Sequence, residues 1–80
     1  MAKYDPLKAI LTLDGRARIE LTFAQIDAAV GGLPRSATEY REWWANQKPP
    51  PVQADAWRGA GYRVEHVDFA NRRVRFVRGT

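Results

Sequence analysis

The residues of this chain whose types and spacing could do chemistry are mostly arginines. Arg72, Arg73, Arg75 and Arg78 fall within seven consecutive positions. Guanidinium groups stay charged at every physiological pH and present a fork of donors that matches a phosphate or carboxylate. Arg72 and Arg73 stand side by side at a turn between two strand-like segments, where nothing about a fold calls for them. A second group gathers around Ser36-Ala37-Thr38-Glu39, a capping-box pattern that opens a helix. Arg35, Ser36 and Thr38 lie at that helix start, where unpaired N–H groups and the positive end of the dipole favour an anion. Arg41 follows on a shoulder of the helix, and Asn46, Gln47 and Lys48 are donors at its far end.

Other chemistries are poorly supplied. The chain has no cysteine and one histidine, His66, so disulfides and thiolate metal sites are excluded and a zinc cluster would need several carboxylates. No G-x-S-x-G, phosphate loop or paired-histidine motif occurs, and Asp55, Glu65 and Asp68 have no catalytic spacing. The expectation is therefore a non-enzymatic protein without metal or cofactor. No run approaches the ~18 apolar residues of a membrane span, and no secretory signal opens the chain; a soluble cytoplasmic protein is expected.

Eighty residues carrying a net charge of +4 make one domain, residues 1–80, in which each large apolar residue matters to the core. The charge is uneven. Up to Pro34, four basic and four acidic residues cancel; from Arg35 onward nine basic residues stand against five acidic ones. Such an excess on one half points to a polyanionic partner.

The elements that would position these groups follow from pattern. Asp5-Pro6 caps a first helix ending near Asp14-Gly15. Ala17, Ile19 and Leu21 alternate with charged residues in a short strand. Thr22-Phe23-Ala24-Gln25 is a capping box for a helix with Phe23, Ile26 and Val30 inward and Gly31-Gly32 as its exit. After the Leu33-Pro34 turn, a helix is predicted from Ser36 to Gln47, with Ala37, Tyr40 and Trp44 on its buried stripe. Lys48-Pro49-Pro50-Pro51 must be extended. A short helix over 52–59 buries Ala54 and Trp57, and two strands follow, about 62–69 and 73–77, the first with a bulge near Glu65-His66 because Tyr62 and Val64 differ in parity from Val67 and Phe69.

Neighbouring helical residues point about 100° apart, so Trp43 and Trp44 cannot both occupy the middle of one stripe. Trp44 is expected in the core. Trp43 is expected to cover Pro49–Pro51 or the base of the hairpin; left exposed, it would instead anchor a protein partner.

Helix, strand, two helices around a tight turn, a Pro-spaced short helix and a C-terminal β-hairpin describe an α+β domain of winged helix-turn-helix type. In that arrangement the helix from Ser36 meets double-stranded DNA and the hairpin tip holds an adjacent phosphate. The expected DNA contacts are Arg35, Ser36, Thr38, Arg41, Asn46, Gln47, Lys48, Arg72, Arg73 and Arg75, in a regulator of transcription or a phage- or plasmid-type accessory protein, acting alone or as a homodimer. Glu39 and Glu42 oppose this, since they face the same way and repel phosphates. With Trp43 they define the alternative, an adaptor or inhibitor that binds a larger protein.

A resemblance adds to this reading. Leu33-Pro34-x-Ser36-Ala37-x-x-x-Arg41-x-Trp43-Trp44-Ala45-Asn46, then Gln53-Ala54-x-Ala56-Trp57-x-x-Ala60-Gly61-Tyr62-x-Val64 and Val74-x-Phe76-x-Arg78, resembles a pattern in small bacterial domains of uncharacterised function. Some of these stand beside nuclease or other DNA-related modules. The resemblance implies a bacterial origin and work on DNA, and brings no catalytic residues.

Overall fold

The computed structural model of the chain describes residues 2–46 and 52–79. Its first helix, α1 (Asp5–Asp14), buries Leu7 and Leu11 and ends at Gly15, whose φ of 69° lies in the left-handed region that glycine enters without strain. Asp5 is the first helical residue rather than the cap; Tyr4 holds the cap position, and the Asp5 carboxylate accepts the Ala2 N–H at 3.0 Å. Strand β1 (Arg18–Thr22) runs straight into helix α2 (Phe23–Val30). The capping box predicted at that junction is formed, Gln25 N–H donating to Thr22 Oγ1 at 3.0 Å and Thr22 N–H to Gln25 Oε1 at 2.8 Å. Phe23, Ile26 and Val30 make the buried stripe of α2.

The next helix departs from expectation. In place of one helix from Ser36 to Gln47, the chain forms α3 (Arg35–Glu39), one extended residue at Tyr40 (φ −121°, ψ 127°) and a 3₁₀ turn over Arg41–Trp44. The Ser36/Glu39 capping box is not made: Pro34 precedes the helix and no side chain caps it. The tryptophans supply the reason. In a continuous helix only one indole reaches the core, whereas the break buries Trp44 fully and Trp43 in part. Burying a whole indole is worth roughly 4–6 kcal/mol at about 25 cal/mol per Å², so even the partial burial of Trp43 outweighs the about 1 kcal/mol of a helical hydrogen bond given up. One of the carbonyls released, that of Ala37, accepts the Trp44 indole N–H at 2.8 Å. Tyr40, expected inside, is 60% exposed.

Helix α4 (Ala54–Gly59) and strands β2 (Tyr62–Asp68) and β3 (Arg73–Arg78) complete an α+β fold with an antiparallel sheet of order β1-β3-β2. Ile19, Phe76 and Val64 form one row across the sheet, and all three are buried. The expected bulge is present, a register shift between Val64 and His66. It lets Val64 and Val67 both face the core despite their parity.

The interior is dominated by an aromatic column. Phe23 stacks on Trp44 at 6.0 Å and 9°, Trp44 on Trp57 at 5.8 Å and 27°, and Trp57 leans on Phe76 at 6.0 Å. Trp43 packs against Trp44 at 4.6 Å and Tyr4 at 5.7 Å, both in T-shaped geometry, so the N-terminal segment covers it, where Pro49–Pro51 or the base of the hairpin was expected; Pro49–Pro51 lie outside the described residues.

The far end of the 3₁₀ segment is fixed by Asn46. Its Nδ2 donates to the Val64 carbonyl at 2.8 Å, and its Oδ1 accepts the Val64 N–H at 3.0 Å and the Trp57 indole N–H at 2.9 Å. The carboxamide thus pairs with edge strand β2 as a further strand residue would. Arg58 donates to the Asn46 carbonyl at 2.8 Å, and Gln53 to that of Trp43 at 2.9 Å. Asn46→Ala leaves three polar groups unpaired and is expected to destabilise the domain by roughly 2–4 kcal/mol. Urea unfolding followed by tryptophan fluorescence checks this, and Asn46→Asp, which keeps the shape but loses the donor, is expected to unfold earlier than wild type.

Candidate functional site

The turn between β2 and β3 is built by its acid. Asp68 Oδ1 accepts the Asn71 N–H at 3.0 Å and Oδ2 the Asn71 side-chain amide at 2.8 Å. The side-chain hydrogen bond foremost, and then the backbone one, hold the Asp68 carboxyl below its usual range. The turn ends on Arg72, whose φ of 57° is the one positive value at a non-glycine among the described residues. That conformation is held from outside the hairpin: the Phe23 N–H, at the start of α2, donates to the Arg72 carbonyl at 2.9 Å. The Arg72 guanidinium lies 5.4 Å from the centre of the Phe23 ring.

Here the hairpin meets the helices. Arg72, Thr38 of α3, Phe23, Ala24 and Asp27 of α2 and Leu33 of the intervening turn line a concavity of about 340 Å³. Thr38 Oγ1 donates to the Arg35 carbonyl at 2.8 Å, and Asp27 Oδ1 accepts the Leu33 N–H at 2.6 Å. Of the residues singled out from sequence, Arg72 and Thr38 are brought together. Phe23, Ala24, Asp27 and Leu33 were not foreseen. Asp27 carried a usable signal, since an acid in the second half of a helix opposes the dipole and needs a local reason.

The other arginines differ in freedom. Arg35, 91% exposed at its side chain, pairs with Glu39 at 2.7 Å along α3. Arg73 lies 3.9 Å from Glu20, while Arg75 is held by two carboxylates, Glu20 at 3.2 Å and Glu65 at 3.3 Å. Hydrogen bonds to Glu20 and then to Glu65 push the Arg75 guanidinium pKa up. Arg72 and Arg41 are exposed and form no ion pair among the described residues.

Ser36 is half-buried inside α3, where its carbonyl accepts the Tyr40 N–H at 2.9 Å. The five residues of α3 add up few peptide dipoles, which weakens the anion attraction expected of a long helix. Asn46, expected as a surface donor, is an internal tie, its amide committed to Val64 and Trp57. Gln47 and Lys48 lie outside the described residues. Glu39 and Glu42 are exposed and Trp43 is half-buried, which leaves Tyr40 as the exposed aromatic neighbour of the two acids.

A family model described as a domain of unknown function (DUF7662) matches residues 4–79. The chain belongs to that family. No curated protein and no solved structure matches the chain. Among the described residues, no helix is long and apolar enough to cross a membrane, and no group of three or more His, Cys, Asp or Glu is placed to hold a metal ion.

Because the folded Asp68 pKa is depressed, the stabilisation it gives the turn is complete above the unfolded-state pKa and lost as pH falls through the folded one. Carboxyl-carbon NMR titration is expected to place the Asp68 midpoint below that of an ordinary aspartate, and Asn71→Ala to move it up.

Proposed function

We propose that the domain is a non-enzymatic DNA-binding module of winged helix-turn-helix type. The element order and the sheet order β1-β3-β2 support the fold assignment: α2 and α3 make the helix pair, joined by the Gly31–Pro34 turn, and the β2–β3 hairpin makes the wing. The reading rests above all on one observation, that Arg72 of the wing and Thr38 of the second helix border the same concavity. In a DNA-bound winged helix those two elements face the duplex together.

The contact set differs from a simple roll of basic residues. Arg72 and Arg41 lead it, being exposed and without an acidic partner among the described residues. Arg35 and Arg73 join them, because exposed ion pairs are screened and contribute little, so a phosphate can replace the carboxylate. Arg75, bridged by two acids, serves the sheet instead. The shortened α3 favours phosphate contact over reading of base edges along a groove, and Glu39 beside it further limits how deeply the helix enters.

One observation favours a second reading, a protein-interaction surface: Tyr40 is 60% exposed between Glu39 and Glu42. It supplies the aromatic anchor that half-buried Trp43 does not.

Duplex binding followed by fluorescence anisotropy is expected to weaken steadily as salt rises. Arg72→Asn is the informative variant, since asparagine accepts the left-handed conformation and removes the charge. It should lower affinity for all sequences alike and shrink the log–log salt slope by about one. Affinity indifferent to salt would refute the DNA reading, and a partner lost on Tyr40→Ala after nuclease treatment would establish the second.

A further inference from the structure

We propose that the concavity between α2, α3 and the wing receives a single unpaired nucleobase, guanine best of all; the inference rests on the nucleic-acid reading above and adds what the site recognises. At about 340 Å³ the recess falls within the ~300–1,000 Å³ typical of small-ligand sites. Phe23, Ala24 and Leu33 give it an apolar lining, and beside Thr38, whose hydroxyl donates to the Arg35 carbonyl, its two charged groups have opposite character. Arg72 brings donors and has no acidic partner among the described residues. Asp27 brings acceptors: one carboxylate oxygen takes the Leu33 N–H at 2.6 Å, and the other has no hydrogen bond among the described residues.

That pairing selects the occupant. A backbone phosphate passing outside the recess can meet Arg72 at its border, but one seated inside would meet the Asp27 carboxylate at close quarters. A cation would meet the reverse, and a purely apolar group would leave both charges unanswered. A neutral, flat group carrying acceptors on one edge and donors on another answers both. Among nucleobases guanine fits most fully, with O6 and N7 for a guanidinium and N1–H and the N2 amino group for a carboxylate. In a duplex the N1 and N2 groups face the paired base, so only an unpaired guanine offers both edges at once. The two walls are also held ready. Asp27 is fixed by the Leu33 N–H, and the left-handed conformation of Arg72 is locked by the Phe23 N–H at 2.9 Å. Backbone conformations of this kind persist where surrounding structure over-determines them.

The test compares three labelled DNAs of otherwise identical sequence, one fully paired, one with a single bulged guanine and one with a single bulged thymine. Wild type is expected to bind the guanine bulge about ten-fold more tightly than the other two, the scale of a good bidentate base contact. Asp27→Asn keeps the bond to Leu33 and removes the open acceptor. Ala24→Leu fills the recess from an exposed helical position with another strong helix former, and thermal unfolding confirms its fold. Each variant should lose the guanine preference yet still bind paired DNA, and Asp27→Asn, which removes a carboxylate beside Arg72, should bind all three DNAs alike and somewhat more tightly than wild type binds paired DNA. Equal gains for both bulges would report DNA flexibility, and a preference kept by either variant would place recognition elsewhere; both outcomes overturn the receptor and leave the DNA reading standing. Failure to bind any of the three DNAs at low salt removes both.

Discussion

The carboxamide of Asn46 is the point on which the middle of the chain depends. It closes edge strand β2 with two hydrogen bonds to Val64 and receives the indole N–H of Trp57. An unpaired strand edge attracts other chains, and a single side chain that mimics a strand residue blunts it locally. The same group satisfies a tryptophan that is otherwise wholly enclosed. Each bond is individually modest, but in a low-dielectric setting a partly satisfied set would be worse than none. Arg58 and Gln53 complete the set through the carbonyls of Asn46 and Trp43, so the segment after α3, whose own secondary structure is a single 3₁₀ turn, is held at its far end by side chains.

That segment is also where sequence reasoning and structure part. Periodicity and capping chemistry foretold α1, β1, α2 and the bulged hairpin because those elements are specified locally: Thr22 and Gln25 cap α2 whatever lies elsewhere, and the parity change from Val64 to Val67 demands an extra residue. The pattern Ser36-x-x-Glu39 promised as much for the next helix. It failed because the decision there is not local. Trp43 and Trp44 compete for a core made by Phe23, Trp57 and Phe76, and the gain from admitting both exceeds the loss of helical hydrogen bonds. Helix propensity is a weak prior against that much buried surface.

The candidate site was legible in its donors and illegible in their availability. Arg72 stood out as a turn residue that no fold reason called for, yet the structure gives it one, since its carbonyl accepts the Phe23 N–H and its guanidinium lies over the Phe23 ring. Nothing in the order of residues shows that Arg75 is bridged by Glu20, 55 positions away, or that Arg73 lies beside the same acid. The cationic excess of the second half is thus partly cancelled by the first half across the β1–β3 pairing. Asn46 is the converse case. Its type suggested a surface donor, and only the proximity of an unpaired strand edge explains why it is inside.

The aromatic column has a consequence for how this domain can change over time. Phe23, at one end of the stack, also lines the concavity, so the interior and the concavity share a side chain with no spacer layer between them. A substitution that repacks Trp44 or Trp57 shifts the ring against which Arg72 rests. Drift in the hydrophobic centre therefore reshapes the concavity, and any change at that surface must act on residues that also keep the chain folded.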